Sequence, residues 1–475
     1  MKRLLRKISI AAFVLFSASS CDNLLDVNVD PGRISADQIT VPNLLPSAIR
    51  FTANVQFGAA QFGAQYPQYL GGQAISQYTP YGFDQLWRPL YSDALPSLQE
   101  IISRAEALGA YNYSGIAKVM LAMNMLTASA IYGDLPYTEA NKGTAILNPC
   151  YDTMQQLYEV HIPQLINSAI EDLQRPLPEL PNLRTVRNDY IYNGNLDNWR
   201  RAAFALRARY NLQMSIKNPS LLAAAAADVD RAFTGFSQDL DLIYEANIQN
   251  PWWSFLGNPV NKTQQPTSFI TNMMNGTAQY PGLVDPRLPL YMSSSNPNEF
   301  RGVVPGRLVG DDPTVNVNLT ATTWHSRNVA PLQMLTYTEA QFIKAEALLN
   351  SNRPAAYEAY VNGIRASMTK LGVSGDAINS YLQNTLVSMG SSNLQLRDIM
   401  MQKYIALYLQ METWNDMRRY QYDPNIYPGL NKPVINQIPG EPWIQRSNIA
   451  DDEPGTNTCI PVIPNQGVKL WLFDN

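Results

Sequence analysis

Tyr337-Thr338-Glu339-Ala340-Gln341-Phe342-Ile343-Lys344-Ala345-Glu346-Ala347 reads as a helix made to lie close against another. Its small residues Ala340, Ala345 and Ala347 let a neighbouring backbone approach, because the distance between packed helices follows the size of the side chains at the contact. Helical patterning continues around it. The sequence predicts helices over 337–350, 353–371, 376–388 and 393–416, the last with Leu396, Met400, Tyr404, Leu407, Met411 and Trp414 on one stripe. Toward the N-terminus, patterning begins near Pro42 and recurs at 92–108, 113–132 and 151–174, with apolar residues at three- and four-residue steps. Asp197 and Trp199 open a further helix through Ala203, Leu206, Tyr210 and Met214 that should end at Asn218-Pro219, and an Ala-rich piece follows at 221–227. His161 falls within the 151–174 pattern and reads as an ordinary helix residue.

Helices of this length joined by short turns look like tetratricopeptide-type pairs, although no clean 34-residue repeat is present. Between 234 and 335 the texture changes: Pro, Gly and Asn become dense and helical periodicity fades. A segment that long is more than a connection. The expected fold is therefore mostly α: tetratricopeptide-like helix pairs at 41–233 and 336–420, an irregular, loop-rich lobe at 234–335, and a loop-rich C-terminal segment at 421–475, all in one domain.

Composition narrows the function. The 475 residues are 45% hydrophobic and only 16% charged, with 26 Tyr and 8 Trp. Low charge with many aromatics excludes a disordered chain. A net charge of −4 lacks the basic footprint that a phosphate backbone needs, so nucleic acid is not an expected partner. Two His and three Cys leave too few ligands for a zinc site of the common type.

The N-terminus reads as a leader. Lys2, Arg3, Arg6 and Lys7 precede the apolar run 8–18, and Ala18, Ser19 and Ser20 lead to Cys21. This is the pattern of a secretory signal over 1–20. A Cys directly after it is similar to a bacterial lipobox, with Ala18 where Leu is preferred. That resemblance implies diacylglycerol on Cys21, followed by a lipidated tether over 21–40. Loss of the leader leaves 31 basic against 39 acidic residues, a net charge of −8. No other run of about eighteen uninterrupted apolar residues is apparent, so anchoring rather than spanning is expected. Cys150 and Cys459 sit in Pro-flanked stretches far apart in sequence and read as unpaired thiols, a bridge being the alternative that export would permit.

Several segments together resemble the SusD/RagB family of outer-membrane nutrient-binding lipoproteins, most closely its SusD-like subgroup. They are Asn28-Val29-Asp30-Pro31 after the Cys, Ile131-Tyr132-Gly133-Asp134-Leu135-Pro136-Tyr137, Tyr151-Asp152, and Tyr192-Asn193-Gly194-Asn195 before Trp199 and Leu206-Arg207-Ala208-Arg209. Asp285-Pro286-Arg287-Leu288-Pro289, the 337–347 helix and Trp414-Asn415-Asp416-Met417-Arg418-Arg419 complete the set. The resemblance implies a lipoprotein at the cell surface, seated on a TonB-dependent outer-membrane transporter, that captures an oligosaccharide or sometimes a peptide, with no cofactor and no catalysis.

Motif by motif, local physics explains much. Gly133 supplies a helix C-terminal turn and Pro136 a stop, which is a structural role. Arg418 and Arg419 should complement a helix C-terminus and pair with internal carboxylates. Aromatic residues in irregular stretches are the better ligand candidates, since Trp and Tyr faces stack on the C–H faces of sugars. Trp87 and Trp324 are the first choices, both in polar, loop-like surroundings, with Tyr81, Trp252 and Trp253 behind them; Trp252-Trp253 resembles a family position that tends to be structural. The rival reading is an exported glycoside hydrolase with paired carboxylates, and a third is a purely structural subunit. Helix-pair architecture favours binding, and no nucleophile elbow, His-Glu-x-x-His or phosphate loop occurs.

Overall fold

The computed structural model describes residues 39–258, 263–451 and 453–474. The leader, Cys21 and the tether up to residue 38 lie outside the described residues. The longer helices are α1 (Val41–Gly63), α2 (Leu95–Ala107), α3 (Tyr111–Tyr132), α4 (Ile162–Asp172), α5 (Leu196–Met214) and α6 (Leu221–Arg231). After the irregular lobe come α7 (Tyr337–Leu348), α8 (Arg353–Leu371), α9 (Gly375–Gln383), α10 (Leu396–Ala406) and α11 (Glu412–Arg419).

The helices pack as neighbours in chain order, α2 on α3, α3 on α4, α5 on α6 and α7 on α8, with α6 also on α7. This is the tetratricopeptide-like arrangement that the sequence predicts. α3 is long and apolar enough to cross a membrane, but it is wholly covered by protein and serves as the central core helix. The α7–α8 contact is close because Gly363 has no side chain: a Cβ there would lie 2.9 Å from the Phe342 ring. Local signals fix the ends. Asn195 caps α5 by accepting from the Asn198 N–H at 3.1 Å, Thr336 caps α7 through the Glu339 N–H at 3.1 Å, and Gly372 ends α8 at φ +85°. A buried bidentate pair, Arg209 to Glu339 at 2.6 Å, joins α5 to α7.

Four predictions need correction, the first being the helix expected over 376–388, which ends at Gln383. The single helix expected over 393–416 is two, α10 and α11, broken at Leu407–Met411, where Leu409 takes φ +63°. Burying Leu407, Tyr408 and Leu409 offsets the left-handed turn, and the break lets Glu412 receive Gln213 Nε2 at 2.9 Å and Asn415 Nδ2 at 3.0 Å. The helix from Leu196 stops at Met214, before Asn218-Pro219. Cys150 and Cys459 are joined as a disulfide with Cα atoms 4.9 Å apart, not left as thiols; tertiary folding brings together residues 309 apart in sequence.

Among the described residues the lobe takes part in three short antiparallel pairs: Gln265–Pro266 with Leu70–Gly71 from the N-terminal half, Leu240–Leu242 with Leu332–Leu335, and Ser293–Ser294 with Val317–Asn318. Charged pins tie it to the helices. Lys370 on α8 reaches Asp239 at 2.6 Å and Asp241 at 2.5 Å. Arg287, fully buried, pairs with Asp285 at 2.6 Å and donates to Gln402 Oε1 on α10 at 2.9 Å. The Asp-Pro-Arg motif is thus an internal anchor.

Candidate functional site

The segment carrying Tyr81 and Trp87 is held from two sides. A short helix, Asp84–Arg88, runs through a π turn at Pro89–Ala94 into α2. Behind it, Gly58 on α1 allows a backbone-to-backbone approach: an added Cβ would stand 2.4 Å from the Gln85 carbonyl oxygen. In front of it lies the C-terminal segment. The Asn448 N–H donates to the Tyr81 carbonyl at 3.0 Å, the Asp451 N–H to Asp84 Oδ1 at 3.0 Å, and the Tyr81 N–H to Gln466 Oε1 at 3.0 Å. The Cys150–Cys459 bridge fastens the same segment to the loop before α4.

Aromatic rings gather here. Trp87 stacks on Tyr151 with centroids 6.2 Å apart and meets Tyr91 at 4.5 Å and Tyr132 edge-on at 5.0 Å. Tyr151 donates to Glu453 Oε2 at 2.9 Å and Tyr91 to the Pro136 carbonyl at 2.9 Å. Tyr81 lies on Phe62 at 4.8 Å and donates to Gln85 Oε1 at 2.6 Å. Tyr81, Tyr91 and Tyr151 are half-buried, Asp451 is exposed, and Trp87 itself is only 5% exposed. The patch combines ring surfaces with the carboxylates of Asp84, Asp451 and Glu453. Burial pushes the Tyr81 phenol up to about 12, with Asp84 and Asp451 adding to the effect against the Gln85 hydrogen bond. Burial likewise raises Tyr91 and Tyr151. At neutral pH these phenols keep their protons and act as hydrogen-bond donors.

The structure brings Tyr81 and Trp87 to one patch and puts the other predicted residues elsewhere. Trp324 opens the short helix Trp324–Ser326 and is buried, its ring edge-on to His325 at 4.8 Å with the Arg327 guanidinium 5.5 Å away. Trp252 is buried against Phe57 at 5.2 Å, and Trp253 is half-buried. These three share a loop cluster: Asn250 donates to the carbonyls of His325 at 3.2 Å and Ala330 at 2.8 Å, and Gly257 abuts Ser326. The polar, loop-like surroundings expected of Trp87 and Trp324 are therefore replaced by short helices and buried neighbours. Sequence reasoning missed Tyr151, Asp451 and Glu453. Tyr151 sits in a motif that could have signalled it; nothing local marks the two carboxylates.

The other motifs hold the scaffold. Gly133 takes φ +88° at the end of α3, and Asp134 accepts from the Met154 N–H at 2.8 Å. Arg419 pairs with Asp416 at 2.7 Å and Glu346 at 2.6 Å, whereas Arg418 stacks on Trp414 at 3.8 Å and donates to the Gln445 carbonyl at 2.8 Å. His161 lies 3.9 Å from Asp152. Among the described residues no group of three or more His, Cys, Asp or Glu is placed to hold a metal ion.

Residues 34–446 match the family model SusD-like, described as starch-binding and associating with the outer membrane. No curated protein matches in sequence. Among solved structures, a chitin-binding protein superposes with a TM-score of 0.74 at 20% identity, over 92% of this chain and 100% of its own. A chitin-binding SusD homolog from Flavobacterium johnsoniae gives 0.74 at 18%, over 91% and 99%. A SusD/RagB family protein from Bacteroides thetaiotaomicron gives 0.69 at 21%, over 89% and 95%. At these identities the structures establish a shared fold, and the family model supplies the rest: this chain belongs to the SusD/RagB family, in its SusD-like branch.

Proposed function

We propose that the protein is a cell-surface lipoprotein, anchored through Cys21, that captures an oligosaccharide and delivers it to a partner TonB-dependent outer-membrane transporter. Family membership and the chitin-binding relatives support the ligand class. The observation that carries the reading is the patch at Tyr81, Trp87, Tyr91 and Tyr151 beside Asp84, Asp451 and Glu453. Ring faces take the apolar side of a sugar, while carboxylates and phenols exchange hydrogen bonds with its hydroxyls. In this reading the task is binding, without catalysis or cofactor. Tyr81 touches the ligand while the buried Trp87 holds Tyr91 and Tyr151 in place beneath it, Trp253 is the accessible member of the second cluster, and Trp252 and Trp324 support the loops around it.

Tyr81→Ala is the separating variant, because Tyr81 is half-buried at the edge of the core, where its ring packs on Phe62 and Phe83. It should weaken binding of maltoheptaose or chitohexaose by about tenfold or more in calorimetry, with a smaller drop in melting temperature than Trp87→Ala. Trp87→Ala is less clean: with the ring buried, truncation should also destabilise, by roughly 3 kcal/mol. Unaltered affinity in Tyr81→Ala and in the conservative Trp87→Phe would remove the patch as the site.

A further inference from the structure

The described residues start at one end of the helical stack. The Arg104 guanidinium donates to the Ile39 carbonyl at 2.7 Å, which sets the start of α1 beside the end of α2. The loop 174–190 crosses the same end. Its Asn188 Nδ2 donates to the Pro42 carbonyl at 3.1 Å, its Arg187 N–H donates to the Tyr113 hydroxyl at 3.0 Å, and its Leu183 carbonyl accepts from Asn112 Nδ2 at 2.8 Å. These contacts join the loop to the starts of α1 and α3. From there the 22 residues of α3 run about 33 Å to Tyr132, which meets Trp87 in the aromatic patch. The end face and the patch therefore lie at opposite ends of the core helix.

This end is apolar and cationic where it meets solvent. Leu177 is 51% exposed and Tyr190 63%, and Leu180 and Leu108, the latter one turn beyond Arg104, are exposed with them. Arg175, Arg184 and Arg187 are exposed on the loop against a single exposed carboxylate, Glu179, because Asp189 is buried and accepts from the Ile191 and Gly194 N–H groups at 3.0 Å. Arg175 leans on Asp172 at 3.4 Å. Among the described residues Arg184 and Arg187 have no ion-pair partner, and one Arg184 N–H goes to the Pro178 carbonyl at 3.1 Å. Glu106, near the end of α2, is matched by Lys118 at 2.6 Å. The loop is thus locally positive in a mature chain whose net charge is −8.

Seventeen residues separate Cys21 from Ile39, so an acylated Cys21 lies no more than about 65 Å from this end. Such an anchor holds the body at its point of entry, and the face around Ile39 is the one it draws toward the bilayer. We propose that this end is a membrane-contact face, seated on the anionic headgroups of the leaflet that carries the Cys21 lipid. The leucines reach the acyl boundary, the tyrosine rests at headgroup level, and Arg184 and Arg187 take phosphate oxygens while their stems lie along the apolar part. An acyl anchor alone fixes a point and leaves the tilt free. The face fixes the tilt and keeps the aromatic patch about 30 Å clear of the lipid. The proposal rests on the reading that Cys21 is acylated, but the affinity of the face for lipid does not need the acyl chain.

The test mixes the mature chain from residue 22, which has no acylation site, with vesicles of phosphatidylcholine alone or of phosphatidylcholine with phosphatidylglycerol, and reads the bound fraction by sedimentation at low ionic strength. Leu177→Ser combined with Tyr190→Ser removes apolar contact, and Arg184→Ala and Arg187→Ala remove charge; all four side chains are exposed, and melting temperature controls for the fold. The expected result is uptake by the anionic vesicles that is weaker on the neutral ones and in added salt. Each arginine removed should lower it about fivefold, and Leu177→Ser with Tyr190→Ser about tenfold or more. No uptake by the anionic vesicles overturns the face, as does equal uptake by both kinds or wild-type uptake in every variant. A chain that is dimeric in gel filtration, made monomeric by Leu177→Ser with Tyr190→Ser and not taken up by vesicles gives the face to a second copy and likewise overturns the proposal. Because the face alone is a salt-sensitive contact, Cys21→Ala still leaves the membrane at physiological ionic strength. Unchanged membrane partition of Cys21→Ala would refute the anchor alone, and the vesicle result decides the face.

Discussion

Gly58→Ala is the most direct probe of how the helical scaffold positions the patch. Gly58 lies inside α1, where alanine is ordinarily the better residue by about 0.5–1 kcal/mol. Here the added Cβ would meet the Gln85 carbonyl oxygen at 2.4 Å, its carbon at 2.9 Å and Leu86 Cα at 3.3 Å. These are backbone atoms, so no side chain can swing aside. Ordinary contact requires the short helix Asp84–Arg88 to retreat by roughly 1 Å, and overpacking of this kind costs about 1–3 kcal/mol. The net expectation is destabilisation of about 1–2 kcal/mol, seen as a lower melting temperature or denaturant midpoint. Trp87 lies two residues beyond Gln85, so the shift disturbs its stacking on Tyr151, and affinity for the oligosaccharide should fall as well. A melting temperature above wild type, the plain helix-propensity result, would refute the close approach and with it the account of how the patch is placed.

Other consequences follow from the same structure. Reducing the Cys150–Cys459 bridge, which closes a loop of 309 residues, should destabilise by about 2–5 kcal/mol and loosen the C-terminal segment over Tyr81; equal melting temperatures with and without reductant would contradict this. Burial first, then Asp241, push Asp239 up to about 7 despite Lys370, so the folded state holds a proton that the unfolded state releases from about pH 4. Stability should therefore fall as pH rises from about 4 to 7, and Asp239→Asn, which keeps the acceptor for the Tyr337 N–H, should shrink that slope in a melting series; an unchanged slope would refute the assignment. Cys21→Ala should move the protein from the outer-membrane fraction to a soluble pool, and unchanged membrane partition in cells lacking the transporter would oppose lipid anchoring.

The helices were legible because their apolar spacing and their caps are local. Ala340 and Ala345 announced close packing, and Asn352 and Gly372 bound α8 at the residues where the pattern begins and ends. The break before α11 was not legible, since Leu407, Met411 and Trp414 continue a helical stripe and only burial of Leu409 in a left-handed turn interrupts it. The patch was half legible. Tyr81 and Trp87 stood out as aromatics in an irregular stretch, whereas Asp451 and Glu453 reach it from more than 300 residues away through contacts no periodicity encodes. The same limit applies to Cys150 and Cys459. The recurring motifs were informative about family and silent about ligand, because Asp285–Arg287 and Asp416–Arg419 spend their charges inside the scaffold.

The central claim is that this surface binds a glycan, and titration calorimetry of the mature protein from residue 22 onward with maltoheptaose and chitohexaose tests it most directly. The account predicts saturable binding of at least one of them, weakened about tenfold or more by Tyr81→Ala in a protein that still folds cooperatively. A folded protein that takes up neither sugar, or that binds one equally well in Tyr81→Ala and in Trp87→Phe, would contradict it.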